Sequence, residues 1–201
     1  EVRLNVEVMG SAPIEKIEIR NGLKVLETVR PFNPNELGHR IRLIWAGAEY
    51  RGRGRETIWD GCASLSGNVI ESIHPINLYN LEKTVRQLDS THLEWNAVTT
   101  GGFGGFDMML KDQQTGTLNI ETKHVQCSMT IEEIGFHEIR IDAGGLDRHI
   151  RLSRLPNNNR HYQMSLERSI LLNPNIDNPV YVCVTQEDGH QAWSSPIYLF
   201  R

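Results

Sequence analysis

Three arginines stand at alternate positions, Arg51, Arg53 and Arg55, with glycines between them. In an extended backbone, residues two apart project to the same side. This spacing therefore lines up three guanidiniums, and the glycines let a ligand come close to the main chain. A guanidinium holds its donors in a fork that fits phosphate or carboxylate oxygens. Two readings follow. The stretch is an anion-binding clamp, or it is a solvated or interdomain docking loop whose arginines pair with Glu49, Glu56 and Asp60 or with a neighbouring domain. Elsewhere the chain offers no basic field. Its formal net charge is -4 and its pI ≈ 6.1, which predicts neither a nucleic-acid partner nor a membrane-surface partner.

The other reactive residue types are dispersed. Gly101, Gly102, Gly104 and Gly105 fit neither a P-loop nor a dinucleotide fingerprint and predict a bulge or a tight strand connection. The 8 histidines form no HxH or HExxH pattern. His137 beside Glu138, Asp147 before His149, and Asp188 before His190 come nearest, and each reads as a lone surface or turn histidine. Asp188, His190 and Ser194 or Ser195 supply triad residue types, but on one tight hairpin they lack the convergence a triad requires. No GxSxG elbow occurs. No catalytic and no metal-binding residue is assigned, and no cofactor is expected in this segment. Trp45, Trp59, Trp95 and Trp193 all stand in strand-like runs and read as core rather than as a sugar-stacking platform. Cys62, Cys127 and Cys183 are odd in number and widely spaced, so they predict no disulfide framework and leave the compartment open. Cys183, inside an apolar run, reads as a buried inert thiol.

The elements that would carry these residues are strands. In the closing segment, Val180 to Thr185 is β-branched and aromatic, Asp188-Gly189 is a turn dipeptide, and Trp193 to Phe200 returns. Pro196 cannot donate to a ladder and pushes the final strand to an edge or a bulge. At the other end, Val2, Leu4, Val6 and Val8 alternate with polar residues, as do Ile14, Ile17 and Ile19. Asn21-Gly22 signals a type I′ hairpin, and the adjacent Val25-Leu26 implies a bulge or burial on both faces. Arg40 to Trp45 alternates again. Cys62 to Ile76 reads as two strands about Ser66-Gly67-Asn68, and Phe106 to Lys111 is expected to pair with Leu118 to Gln126 across Gly116. Asn80 is placed to cap a short helix over 81–87, and Thr130 to Gly135 reads as one helical turn. His137 to Ala143, His149 to Leu155 and Tyr162 to Leu172 complete the strands.

Many short strands with regular turn signals and almost no helix predict an all-β fold: an antiparallel sandwich, Ig-like or jelly-roll-like, with room for a second sandwich-like insertion. A chain of 201 residues fits one elaborated β domain, residues 1–201. A subdivision into 1–38 plus 173–201 (a terminal sheet) and 39–172 (an inserted β region) is the alternative. No apolar run approaches the roughly 18 residues of a membrane span. The chain opens at Glu1 rather than methionine, and residues 2–8 already alternate, so a preceding segment is expected.

The runs IEKIEIRNGLKVLETVRP, RIRLIWAGAEYRGRGRETIWDG, LEWNAVTTGGFGGFD and VTQEDGHQAWSSPIYL resemble a bacterial family known as domain of unknown function 3604. The likeness extends from about residue 13 to residue 199. Longer members of that family carry an N-terminal domain that resembles the PHP metallohydrolases, where histidine and acidic residues hold divalent metals for phosphoester or related hydrolysis. The resemblance implies that this chain is the β region following such a domain, with that upstream domain as its partner and the divalent metal confined to it. No ligand motif of that group falls on a position of this sequence. The expected role is a non-catalytic accessory region, and Arg51, Arg53 and Arg55 would then face the interdomain surface or an anionic substrate. The alternative is an independent carbohydrate- or anion-binding module.

Overall fold

A computed structural model describes residues 1–50, 52 and 56–199. In chain order the strands are β1 (Val2–Met9), β2 (Ile14–Asn21), β3 (Lys24–Val29), β4 (Arg40–Ala48), β5 (Thr57–Ile58), β6 (Gly61–Ser66), β7 (Ile70–Ile76), β8 (Val85–Gln87), β9 (His92–Trp95) and β10 (Val98–Thr99). They continue as β11 (Phe103–Leu110), β12 (Thr117–Thr122), β13 (Gln126–Thr130), β14 (Ile139–Asp142), β15 (Leu146–Leu155), β16 (Gln163–Ile170), β17 (Asn178–Gln186), β18 (Gln191–Trp193) and β19 (Ile197–Leu199). One 3₁₀ turn, Pro34–Glu36, stands among the described residues, and no α-helix does. Every strand pairing is antiparallel, and the fold is all-β and sandwich-like.

The chain divides into two compact units, residues 1–33 with 158–201, and residues 34–157. In the first unit, β18, β17, β2 and β3 form one sheet, with β19 also on β17, and β1 pairs with β16. Val6, Ile17, Ile19, Leu166, Ile170, Val180 and Val182 form its core. The strand at Gln163–Ile170, read from sequence with the inserted region, ladders along the whole of β1 and belongs here. Asn21-Gly22 does turn the chain, but the two loop residues are Gly22 and Leu23, and Gly22 alone of them has positive φ (58°). Glycine at the first loop position is the requirement of a II′ turn, not I′. Leu26 is skipped in the β2–β3 register, so the adjacent apolar pair is a bulge. Pro196 interrupts the return strand between β18 and β19, which both lie on one edge of β17, as its missing donor demands.

The second unit packs the sheet β14-β15-β4-β11-β7 against the sheet β13-β12-β6-β9-β8. Alternation sends Ile41, Leu43 and Trp45 of β4, Phe106 and Met108 of β11, and Ile150 and Leu152 of β15 into the core. They meet Ala63, Leu65, Leu93, Trp95, Leu118 and Ile120 from the other sheet. Trp45 stacks on Trp95 at 5.7 Å between ring centroids, with Phe106 tilted against both.

Two expectations fail here. Phe106–Leu110 and Thr117–Thr122 do not pair: β11 lies between β4 and β7, and β12 lies between β6 and β13 in the other sheet. The helix expected over 81–87 is absent. Asn80 does cap, its Oδ1 accepting from Glu82 N at 2.9 Å, but a single turn follows and Val85 then enters β8 beside Trp95. Burying Val85 in a sheet outweighs a local preference that one turn of helix hardly rewards.

Candidate functional site

Arg51, Arg53 and Arg55 lie outside the described residues. The segment that carries them leaves from the end of β4 at Ala48 and re-enters at β5. Of the glycine cluster, Gly104 and Gly105 open β11, where a Cβ on Gly105 would land on the Leu43 carbonyl oxygen. They are packing glycines in a strand. Ser194 Oγ accepts from Val182 N at 3.1 Å, while His190 pairs with Asp188 at 3.2 Å in the turn beyond. Those residues do not converge as a triad. Trp45, Trp59 and Trp95 are buried, but Trp193, read as core, is 59% exposed on the edge strand β18. Cys183 is buried, Cys127 half-buried and Cys62 exposed, and all three are free thiols.

Ladder registers bring four connections of the second unit, 49–56, 77–84, 96–102 and 143–145, to one end. Ala48 faces Leu146, Ala46 faces Phe103, Ile76 faces Gly105, and Asp142 faces His149. The finish of β4, β7 and β14 therefore coincides with the start of β11 and β15. In the second sheet, Gly61, Val85 and Trp95 are register partners at the corresponding end, with Thr122 beside them. The short β5–β10 ladder ties the two ends together. Trp59 Nε1 donates to Thr99 Oγ1 (2.9 Å), Trp95 Nε1 donates to the Trp59 carbonyl (2.5 Å), and His124 Nε2 donates to the Ile58 carbonyl (3.0 Å). His124 also stands edge-on to Trp59, with centroids 5.4 Å apart.

Backbone strain concentrates at this end. Asn77 (φ 55°) and Asp147 (φ 59°) are the non-glycine residues with positive φ among those described, and both lie here. Asn and Asp tolerate the left-handed region best of the non-glycines, and residues held there mark candidate functional loops. Asn77 has a further role: its amide donates to the Phe103 carbonyl (3.3 Å), and its Oδ1 accepts from the Tyr79 hydroxyl (3.0 Å). Tyr79 is thereby held with most of its ring in solvent.

Two ion pairs stand at this end among the described residues. Arg148 bonds Glu49, and its Nε donates to the Ala143 carbonyl at 2.6 Å. Arg140 bonds Asp147. Burial, then the Arg148 charge, holds the His124 imidazole below its ordinary 6.5, and burial does the same to His149, with Arg140 adding to it. Both rings are therefore neutral at pH 7. His149 Nδ1 lies 2.6 Å from the Asp147 carbonyl and must carry the proton, which leaves Nε2 as an acceptor. His124 has the opposite tautomer, since its Nε2 is the donor. Among its described residues the end presents the half-buried His124 ring, the exposed Tyr79 and two ion pairs, while His149 is buried. That set suits recognition of a partner surface. Among the described residues no three of His, Cys, Asp and Glu gather as metal ligands.

Sequence reasoning named Glu49 as a partner for the nearby arginines and missed Arg148, 99 residues away. No local pattern could have signalled that pair. His149 stands two positions from Asp147 in the sequence, whereas no local pattern marks His124. Comparison of the chain with family models, curated proteins and solved structures finds no match.

Proposed function

We propose that the chain is a non-catalytic accessory β region of a PHP-like, metal-dependent hydrolase, packing on the hydrolase domain through the loop-bearing end of its second unit. The resemblance over residues 13–199 supports the identity of the neighbour. The observation that carries the choice of surface is the gathering, at one end of a sandwich, of both non-glycine left-handed residues, the exposed Tyr79 and the roots of the arginine segment. Sandwich scaffolds commonly place their recognition loops in this way. In this reading Arg51, Arg53 and Arg55 meet the hydrolase domain or its anionic substrate.

The test is phosphoesterase activity of the complete gene product with and without residues 1–201, alongside Tyr79→Ala and Arg148→Ala in the intact protein. Deletion is expected to lower kcat/KM by at least about tenfold, roughly 1.4 kcal/mol. The two loop variants should lower it in the same direction with the fold intact. A gene with no metal-binding hydrolase segment upstream of Glu1 ends the proposal, as does a deletion with no effect.

A further inference from the structure

The sheet β13-β12-β6-β9-β8 buries one face against the Trp45–Trp95 core and turns the other outward. That outward face holds a cleft of ≈ 390 Å³, within the range of small-ligand sites. Registers place its side chains on a grid. Asn119 of β12 faces Ser128 of β13 on one side and Ser64 of β6 on the other. Two residues along, on the same face, Glu121 faces Gln126 and Cys62 in the same order. All six line the cleft. Columns of the grid are one strand spacing apart, about 4.8 Å.

The chemistry of the grid is selective. Amides, hydroxyls and one carboxylate face a common space, and no Lys or Arg lines it. Arg86, farther along the sheet, is turned to Glu94 at 3.7 Å. Asn119 Nδ2 makes a long contact to Ser64 Oγ (3.4 Å). Glu121, Gln126 and Ser128 make no side-chain hydrogen bond to any described residue. An uncompensated carboxylate repels phosphate, sulfate and uronate groups. A ligand with many hydroxyls both donates and accepts, so it satisfies amide N–H, amide C=O, serine and carboxylate together, and a carboxylate takes two donors at once.

We propose that this face is a binding site for a neutral oligosaccharide, laid across β13, β12 and β6 with Glu121 at its centre. No aromatic ring stands among the described residues that line the cleft, and selectivity comes from the hydrogen-bond grid. This site is separate from the loop-bearing end and does not depend on the hydrolase reading.

Titration of the intact chain with cellohexaose, xylohexaose, mannohexaose and laminarihexaose at millimolar concentration tests it. At least one hexaose is expected to bind, with Asn119→Ala and Glu121→Ala each weakening it by about tenfold or more. The bound hexaose should also slow alkylation of Cys62 by iodoacetamide, mapped by mass spectrometry, while Tyr79→Ala leaves affinity unchanged. Ser128→Ala, on the edge strand, serves if a central variant does not fold. Absence of binding by all four hexaoses overturns the proposal. So does binding indifferent to the grid variants, or preferential binding of a sulfated glycan or a lysine-rich peptide.

Discussion

Arg42 and Asp107 face each other across β4 and β11 and are joined by two hydrogen bonds, Nε to Oδ1 at 2.8 Å and Nη2 to Oδ2 at 2.9 Å. Both are buried, and Arg40 adds a longer contact to Asp107 Oδ2 at 3.6 Å. A buried pair of this kind contributes little relative to an apolar pair of the same shape, yet losing one member strands a charge. Asp107→Ala should therefore cost about 3–5 kcal/mol in urea unfolding. Arg42→Met with Asp107→Leu should recover much of that loss. A double variant no better than Asp107→Ala would refute this account of the pair.

The glycines that open β11 make a sharper steric prediction. A Cβ at Gly105 meets the Leu43 carbonyl and Ile44, whereas a Cβ at Gly102 meets nothing within 4 Å. Gly105→Ala should lower the thermal midpoint by several degrees, as overpacking against backbone costs about 1–3 kcal/mol. Gly102→Ala should leave it nearly unchanged.

Tryptophan emission separates core from edge. Trp45, Trp59 and Trp95 are buried and Trp193 is exposed, so acrylamide should quench a red-shifted component that Trp193→Phe removes. Trp95→Ala, by contrast, should destabilise by about 3–5 kcal/mol, because it opens a cavity between the sheets.

Stability should depend on pH in a defined direction. His124 and His149 titrate below 6.5 in the folded chain, so as the pH falls below 6.5 the unfolded chain takes up protons first. Stability is then full above pH 6.5 and declines on acidification. His124→Gln, whose amide can still donate to the Ile58 carbonyl, should flatten that decline in urea midpoints measured on either side of pH 6.5. A second loss lies further down. The Thr91 N–H and hydroxyl, with His92, hold the Asp89 carboxyl at about 2 against an ordinary 3.8, so its contribution disappears as the pH falls from 3.8 through 2.

Thiol accessibility orders the cysteines. Cys62 should react first, then half-buried Cys127, whose thiol burial pushes upward, and last Cys183, also pushed up mainly by burial. Labelling of the native protein followed by mass mapping checks the order, and early reaction at Cys183 would contradict the packing of β17.

Strand positions were legible because alternation is a local property. Val2 to Val8, Ile14 to Ile19 and Arg40 to Trp45 each carry period two and each is a strand. Turn positions were legible too, at Gly22 (though its type was not), at Gly67 and at the Thr130–Glu133 turn, where Thr130 N donates to Glu133 Oε2 at 2.7 Å. Asn80 shows the limit of such signals, since its cap forms and the helix does not. The cleft was invisible as a site because Asn119, Glu121, Ser64 and Cys62 read as the ordinary polar half of alternating strands.

By itself, then, the sequence determined an all-β chain, the extent of most strands and the edge position enforced by Pro196, all consequences of contacts within a few residues. Tertiary structure alone decided partnership. It sent β6 and β7 to different sheets across one glycine turn, parted β11 from β12, left Trp193 in solvent and joined Arg148 to Glu49. The physical reason is that pairing and register follow from which distant faces can be buried together, and the alternation within any one strand is compatible with many partners.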